Sequence, residues 1–307
     1  MKTQVNHISR RTFIGTTAGM VAAAALPNVT LGEQVGKPNS KFNGVQIGVI
    51  TYSYRSMPSS AEELLKYLTQ SGISSVELMG GPVEQFAGAP AGGRRRGNRQ
   101  EVTKWRLSAP MDKFQALRKM YNDAGVNIHI VKFDSIGNQE VSDAENEYYF
   151  KVAKALGARG ITRELSEEAA KKLGPVADKH QIMIGFHNHT QITPTTYDGT
   201  VLSYGKYLGI NFDIGHYVAG CNHSPIPFID KHRDRILSLH LKDRKVKNGS
   251  NMPFGSGDTP VALVLQYLKR EKLTFSADIE LEYRIPQDSD AVKEVTKCVE
   301  FCKESLA

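Results

Sequence analysis

The sequence contains few cysteines and no long hydrophobic segment. Its three cysteines, Cys221, Cys298 and Cys302, form no C-x-x-C pair, which argues against a thiolate metal site and against a disulfide framework. Cys298 and Cys302 are four residues apart on a predicted helix, so we expect them to stack on one helix face rather than to cross-link. Beyond the N-terminal region no run of about 18 apolar residues occurs. We therefore expect no stable membrane anchor.

The absence of two sequence motifs and a small net positive charge restrict the classes of function that the protein can have. The residues after the first predicted strand, Ile50-Thr51-Tyr52-Ser53-Tyr54-Arg55, contain no Gly-rich phosphate turn. No Ser-His-Asp or Cys-His nucleophile pattern stands out. The formal net charge is +7, and removal of Lys2, Arg10 and Arg11 with an N-terminal segment would leave 7 − 3 = +4. This excess gives little support to a nucleic-acid partner.

The N-terminus predicts export. The segment Ser9-Arg10-Arg11-Thr12-Phe13-Ile14 has the paired arginines of a twin-arginine signal, and the apolar run Gly15–Leu26 follows it. We predict that residues 1–32 are this signal peptide with its linker, and that residues 43–307 form the mature domain. The alternative is a basic amphipathic helix. Export of this kind predicts a periplasmic or otherwise extracytoplasmic protein.

The rest of the chain alternates between short apolar runs and helix-like stretches. The predicted strands are Val45–Thr51, Ser75–Leu78, Asn127–Val131, Gly160–Arg163, Met183–Phe186, Ile210–Phe212, Leu237–Leu239 and Ser276–Leu281. The predicted helices are Ser60–Gln70, Met111–Ala124, Ser142–Leu156, Ser166–Lys179, Thr200–Tyr207, Pro227–His232, Pro260–Arg270 and Asp290–Ser305. Eight such units in about 260 residues predict an α/β fold, a single-domain (β/α)8 TIM barrel. An open doubly wound sheet is the alternative.

One segment interrupts this alternation. Gly80 to Pro110 is rich in glycine, proline and alanine and contains Arg94-Arg95-Arg96, which predicts a long mobile loop rather than a helix or strand. In a barrel this loop would lie at the catalytic face, where it would cover the pocket or bind an anionic group. A solvated insertion without a ligand is the alternative. RNA binding is disfavoured, because Trp105 is the one aromatic residue near the arginines.

Four predicted strands end in residue types that bind metals. These are His187 and His189, then Asp213 and His216, then His240 and Lys242 with Asp243, and finally Glu280 and Glu282. The steps between them are about 27, 27 and 40 residues, roughly one strand, helix and loops each. Because parallel strands end on the same side of a barrel, these groups are expected to converge on one divalent ion.

Alternation along a strand supports this interpretation. It places His187 with His189, His240 with Lys242, and Glu280 with Glu282 on shared faces, and carboxylates in apolar strands are costly unless a cation pairs with them. For any one of these residues the alternative is a core histidine satisfied by hydrogen bonds, or a turn former. The occurrence of such residues on four strand ends favours a metal site.

The chain resembles a known superfamily. The barrel, Phe212-Asp213-Ile214-Gly215-His216, Leu239-His240-Leu241-Lys242-Asp243, Gly255-Ser256-Gly257-Asp258 and Ile279-Glu280-Leu281-Glu282 are similar to the xylose-isomerase-like superfamily. It includes sugar isomerases and epimerases, inosose isomerases and dehydratases, and the endonuclease IV group. The resemblance covers about residues 45–304. It implies one Mn²⁺, Mg²⁺, Co²⁺ or Zn²⁺ held by Glu, Asp, His and Glu in chain order, of which the last three correspond to Asp213, His240 and Glu280.

The first of those four ligands departs from the superfamily's pattern. Where a glutamate usually ends the fifth strand, this chain has His187-Asn188-His189. The resemblance implies that one of these histidines, His189 in our assignment, is the fourth ligand, and that the other is an acid/base or substrate contact. Glu164, at the end of the fourth strand, is a replacement carboxylate for the metal; a helix-start acid before Ser166 is the alternative.

The resemblance implies chemistry on a small sugar or glycoside. We expect a sugar isomerase/epimerase-like enzyme that forms an enediolate, with His187, His216, Glu282 and Lys242 as acid/base or substrate contacts and Tyr52 as a further substrate contact. A 3-keto-glycoside lyase or hydratase with the same metal site is the first alternative. A non-catalytic sugar-binding barrel is the second. The sequence argues against the endonuclease branch. It does not decide whether the protein forms a homo-oligomer.

Overall fold

The computed structural model of the protein describes residues 36–90 and 99–307. Eight parallel strands form its central sheet: β1 (Val45–Ile50), β2 (Ser75–Met79), β3 (Asn127–Lys132), β4 (Gly160–Glu164), β5 (Met183–His187), β6 (Leu208–Asp213), β7 (Ile236–Leu241) and β8 (Ser276–Ile279). Each strand pairs with the next in the chain, and β8 pairs back to β1. The sheet is therefore closed, and the predicted TIM barrel is confirmed.

Ten α-helices lie in the described part of the chain. They are α1 (Ala61–Gln70), α2 (Gly80–Phe86), α3 (Arg99–Ser108), α4 (Met111–Asp123), α5 (Asp143–Leu156), α6 (Glu167–His180), α7 (Ile214–Cys221), α8 (Ile226–His232), α9 (Val261–Arg270) and α10 (Ala291–Leu306). Short antiparallel pairings join Lys41–Phe42 to β1, and Asp243–Arg244 to Asn251–Met252. No helix in the described ranges is long and apolar enough to cross a membrane.

Local sequence signals account for several helix ends. Ser60, Ser142 and Ser166 each accept a backbone N–H three residues on, so they act as N-caps of α1, α5 and α6. Ser142 also forms a capping box with Glu145. Gly157 ends α5 with a φ of 75°, a left-handed conformation that glycine adopts without strain. The predicted boundaries of these helices therefore agree with the structure to within one residue.

The prediction of a loop from Gly80 to Pro110 was wrong. The described parts of this segment contain α2 and α3, and Gly80 begins α2 directly after β2. Tertiary contacts outweigh the Gly/Pro-rich composition: Arg106 of α3 pairs with Glu84 of α2 at 2.8 Å, and Trp105 packs edge-on against Tyr148. Residues 91–98, which contain the three consecutive arginines, lie outside the described residues, as does the predicted signal peptide.

Two other predicted boundaries also differ from the structure. Thr200–Tyr207 is not an α-helix; one-turn 3₁₀ helices at Thr196–Asp198 and Thr200–Leu202 take its place. Gly205 lies so close to the backbone of Gly174 that a side chain would not fit, which holds this stretch against α6 in an irregular conformation. No helix was predicted directly after Asp213, but α7 begins there, and the Asp213 side chain caps that helix.

Candidate metal centre

Four buried side chains converge where β5 to β8 end. His187 is the last residue of β5, Asp213 is the last residue of β6, His240 lies in β7, and Glu280 directly follows β8. One donor atom from each lies within 4.8 Å of the donor atoms of the others. We call these four residues the ligand group. Closure of the barrel brings them together, because the strands that carry them are neighbours and parallel.

His240 is held between two carboxylates. Its Nδ1 lies 2.8 Å from Glu280 Oε2, and its Nε2 lies 2.9 Å from Oε2 of Glu77, a fully buried residue of β2. Burial alone would lower the pKa of His240, but the charges of Glu77 and Glu280 outweigh it and raise that pKa well above its usual value. This ring is therefore fixed in orientation from both sides.

His187 offers one free ring nitrogen to the ligand group. Its Nδ1 is 2.7 Å from the side-chain oxygen of Asn211, so Nδ1 carries the proton and Nε2 keeps its lone pair. Burial, with the charge of Lys132 as the next cause, lowers the pKa of His187 to about 3. A neutral imidazole with one nitrogen fixed by an outer partner is the usual form of a histidine metal ligand.

Asp213 contributes an oxygen that lacks a hydrogen bond. Oδ1 accepts the backbone N–H of His216 at 2.7 Å, whereas Oδ2 is buried and accepts no hydrogen bond from the described residues. Lys242 Nζ lies 3.0 Å from Oδ2, a charge contact without hydrogen-bond geometry. Burial would raise the pKa of Asp213, but His216 and Lys242 outweigh that effect and lower it. An ionised, buried and unsatisfied oxygen is what a bound cation would stabilise.

The donor set fits a divalent ion. Two imidazoles and two carboxylates suit Mn²⁺, Co²⁺ or Zn²⁺ better than Mg²⁺, which prefers oxygen alone. Burial would raise the pKa of Glu280, but Lys242 and His240 outweigh it and lower that pKa well below its usual value, so both carboxylates are available in ionised form. The ligand group is thus a buried His/Asp/Glu cluster that could hold a metal.

Lys242 links the ligand group to Glu282. Its Nζ lies 3.0 Å from Glu280 Oε2 and 2.7 Å from Glu282 Oε2. Burial would lower the pKa of Lys242, but Asp213, Glu280 and Glu282 outweigh it and raise that pKa. The lysine is therefore a buried cation beside the ligand group, and Glu282, which is more exposed, lies on its outer side.

Two residues assigned to the metal from the sequence lie outside the ligand group. The side chain of His189 is half exposed, and its Nε2 is 2.7 Å from Glu164 Oε2. Glu164 Oε1 in turn accepts a hydrogen bond from Lys132 Nζ at 2.8 Å. His187 is thus the histidine that joins Asp213, His240 and Glu280, whereas His189 and Glu164 form a hydrogen-bonded pair.

His216 and Tyr52 are the remaining predicted contacts. His216 forms a second close group with His187 and His189, and its ring nitrogens are 3.0 Å from Lys242 Nζ and 2.7 Å from Arg244 Nη1. Burial, more than any other cause, lowers the pKa of His216. Tyr52 follows β1 and has 39% of its surface exposed, with Arg55 stacked over its ring at 4.7 Å. An exposed aromatic ring can stack on an apolar face of a ligand.

Comparison with known proteins agrees with the barrel fold. The sequence profile of the family described as "Xylose isomerase-like TIM barrel" matches residues 42–303. The chain belongs to this family. A search of curated proteins finds no match.

Several solved structures share the fold of this family member. A probable 3-DHS dehydratase from Bacillus anthracis, AsbF, aligns with a TM-score of 0.62 at 13% identity over 83% of this chain and 98% of that one. A sugar phosphate isomerase/epimerase from Parabacteroides distasonis aligns with a TM-score of 0.58 at 17% identity over 84% and 95%. A D-tagatose 3-epimerase-like protein aligns with a TM-score of 0.55 at 17% identity over 86% and 100%. At these identities the likeness shows the fold.

Four residues at the site of this xylose isomerase-like barrel were not found from the sequence. They are Glu77, Lys132, Asn211 and Arg244. A signal existed for Glu77, because it is a single carboxylate within the apolar strand Ser75–Met79, where an unpaired charge is costly. No comparable signal marks Asn211 or Arg244, whose positions depend on the contacts of the folded barrel.

Proposed function

We propose that this protein is a divalent-metal-dependent enzyme of the sugar isomerase/epimerase type. It would remove a proton from the carbon next to the carbonyl of a sugar or keto-sugar and return a proton elsewhere. The observation that carries the proposal is a buried four-residue ligand group with two acid/base candidates near it. His189 lies two residues beyond the end of β5, and Glu282 lies in the segment after β8, where it pairs with Lys242.

The divalent ion would stabilise negative charge on the substrate oxygen when the neighbouring carbon loses its proton, so that an enediolate forms. His187, Asp213, His240 and Glu280 are the residues that would hold it. His189, oriented by Glu164, would take the proton. Glu282, paired with Lys242, would return a proton. Tyr52 would contact the sugar ring.

A 3-keto-glycoside lyase or hydratase is the second candidate. Its support is the histidine at the end of β5. Related epimerases have a glutamate at this position, and that glutamate and a second one exchange protons on opposite faces of the substrate carbon. If His189 alone removes the proton, expulsion of the substituent on the next carbon becomes the outcome instead of reprotonation. The fold is shared with a probable 3-DHS dehydratase, and loss of water of that type is an elimination.

We also propose that the protein acts outside the cytoplasm. The support is the pair Arg10-Arg11 followed by the apolar run Gly15–Leu26. Sugar phosphates are cytoplasmic, so this location favours free sugars, oxidised glycosides or glycan fragments as substrates.

Solvent exchange tests the proposed reaction. The Mn²⁺-loaded protein is incubated in deuterium oxide with free ketoses and with 3-keto-glucosides, and products are followed by NMR and mass spectrometry. Deuterium at the carbon next to the carbonyl with an isomeric product supports the isomerase. Release of the aglycone or of water identifies the lyase or hydratase. A ligand that raises the thermal stability but undergoes neither change would contradict catalysis and identify a sugar-binding barrel.

A further inference from the structure

A buried pair, Glu77 and Asn211, lies behind the two histidines of the ligand group. Glu77 belongs to β2 and Asn211 to β6, and neither is exposed. Glu77 Oε2 accepts a hydrogen bond from His240 Nε2 at 2.9 Å, and Asn211 Oδ1 accepts one from His187 Nδ1 at 2.7 Å. Each histidine therefore has one ring nitrogen committed to this pair and the other directed toward the ligand group.

The hydrogen-bond directions in this pair are determined. Carboxylate oxygens only accept, so each ring nitrogen of His240 carries a proton where it meets Glu77 or Glu280, and a metal that replaced the Nδ1 proton would leave the Nε2 proton on the Glu77 side. The Asn211 amide nitrogen donates to Ser238 Oγ at 2.7 Å and to Glu77 Oε2 at 3.4 Å. The amide oxygen therefore faces His187, which must donate from Nδ1. The Nε2 proton of His240 and the Nδ1 proton of His187 are thus held by one buried network.

Glu77 is itself fixed from a third strand. Its Oε1 accepts a hydrogen bond from Thr162 Oγ1 of β4 at 2.5 Å, while Oε2 receives His240 and Asn211. Both oxygens are thus occupied, and the carboxylate cannot rotate without losing one of these bonds. A carboxylate behind a histidine orients the ring and makes the opposite nitrogen more basic, and loss of such a partner commonly weakens metal binding roughly 10- to 100-fold.

We infer that Glu77, braced by Asn211 and Thr162, is a positioning residue that sets the tautomers of His240 and His187 and thereby the affinity of the ligand group for a divalent ion. This inference rests on the proposed metal site and adds a residue that is not itself a ligand. Glu77 acts through His240 and does not touch the substrate. Its charge and its hydrogen bonds make separable contributions, because glutamine keeps the shape and the acceptor oxygen but loses the charge.

The test is Mn²⁺ binding to the full-length protein, measured by the EPR signal of free Mn²⁺, with unfolding of the metal-free protein measured in parallel. Glu77→Gln is expected to weaken binding roughly 10- to 100-fold. Thr162→Val, which frees the carboxylate but keeps its charge, is expected to cause a smaller loss. Glu294→Gln is the matched control, since Glu294 is also buried but bonds to Tyr283 and Ser289 near α10; its Mn²⁺ affinity should equal that of the unmodified protein.

The outcomes separate this inference from the proposed function. Weaker binding in Glu77→Gln with a retained unfolding transition supports the positioning role, because a purely structural role would lower stability without changing affinity. Unmodified protein that binds one Mn²⁺ while Glu77→Gln binds it equally well overturns the inference and leaves the proposed site standing. Unmodified protein that binds no divalent ion overturns the proposed site itself.

Discussion

Glu164 and His189 form a hydrogen-bonded pair close to the ligand group, with 2.7 Å between Oε2 of the carboxylate and Nε2 of the ring. His187 ends β5 and His189 lies two residues beyond it, and this contact gives the two histidines different surroundings. His187 is buried and bonded to Asn211, whereas His189 is half exposed and bonded to a carboxylate that Lys132 also holds. One histidine is thus available as a ligand and the other as an acid/base group.

Replacement of His189 separates these two roles. In His189→Gln we expect turnover to fall by about 10²- to 10⁴-fold, because the general base is lost. The bound metal should stay near the unmodified level, since His189 lies outside the ligand group. Turnover and metal content are measured on the same preparation. His180→Gln is the matched control: His180, the last residue of α6, also pairs with a glutamate, Glu147 of α5, and its replacement should have no effect on turnover.

Replacement of His187 is expected to reduce metal binding as well as turnover. His187→Gln should abolish turnover and lower metal affinity by more than the roughly 10- to 100-fold typical of losing an outer partner, because a candidate ligand is removed. The fold should remain intact, as circular dichroism would show, since the apolar barrel core surrounds the strands below this residue. Full activity in this variant would remove the fifth-strand histidine from the mechanism.

A buried chain of polar groups lies lower in the barrel, and it predicts a stability effect. His129 bonds to Ser75 through Nδ1 and to Asp278 through Nε2 at 3.0 Å, and Asp278 also accepts from Ser276 at 2.7 Å. Burial raises the pKa of Asp278 to about 7 and lowers the pKa of His129 to about 3. Between about pH 3 and pH 7 the pair is therefore largely uncharged, with the shared proton on the carboxyl group.

Two replacements of Asp278 should differ for this reason. The amide that Asp278→Asn introduces can donate to His129 and accept from Ser276, so this variant should change the free energy of unfolding by less than about 1 kcal/mol. Asp278→Ala leaves both partners unpaired in the barrel interior and should cost about 1–3 kcal/mol. Urea unfolding of the metal-free proteins measures the difference. Equal destabilisation by the two variants would mean that the charged carboxylate is required.

Export is tested by the paired arginines. Replacement of Arg10 and Arg11 by lysine should keep the protein inside the cell, because twin-arginine transport reads the arginine pair. Cell fractionation and immunoblotting measure the distribution. Unchanged export of the double variant would argue against this route.

The sequence predicted the barrel because its strands are short, apolar and regularly spaced, and closure of a barrel requires little more than that pattern. The convergence of Asp213, His240 and Glu280 could be predicted for the same reason, since each lies at or near the end of a strand, and the resemblance to the superfamily selected them as candidate ligands. The choice between His187 and His189 could not. Alternation places both on one face, and only the partners Asn211 and Glu164, contributed by β6 and β4, distinguish them.

Contacts across the barrel could not be predicted from the sequence either. Glu77 and His240 lie on β2 and β7, 163 residues apart, and no local pattern pairs them. The helices α2 and α3 were missed because packing of Trp105 on Tyr148 and the ion pair of Arg106 with Glu84 outweigh a composition typical of loops.

Metal analysis of purified protein tests the central claim most directly. The unmodified protein and a double variant, Asp213→Ala with His240→Ala, are exposed to the same mixture of Mn²⁺, Co²⁺, Zn²⁺ and Mg²⁺, freed of excess ions, and analysed by mass spectrometry for bound metal. About one ion per chain is predicted for the unmodified protein and essentially none for the double variant, because half of the ligand group is removed. Equal metal content in the two proteins would contradict the site.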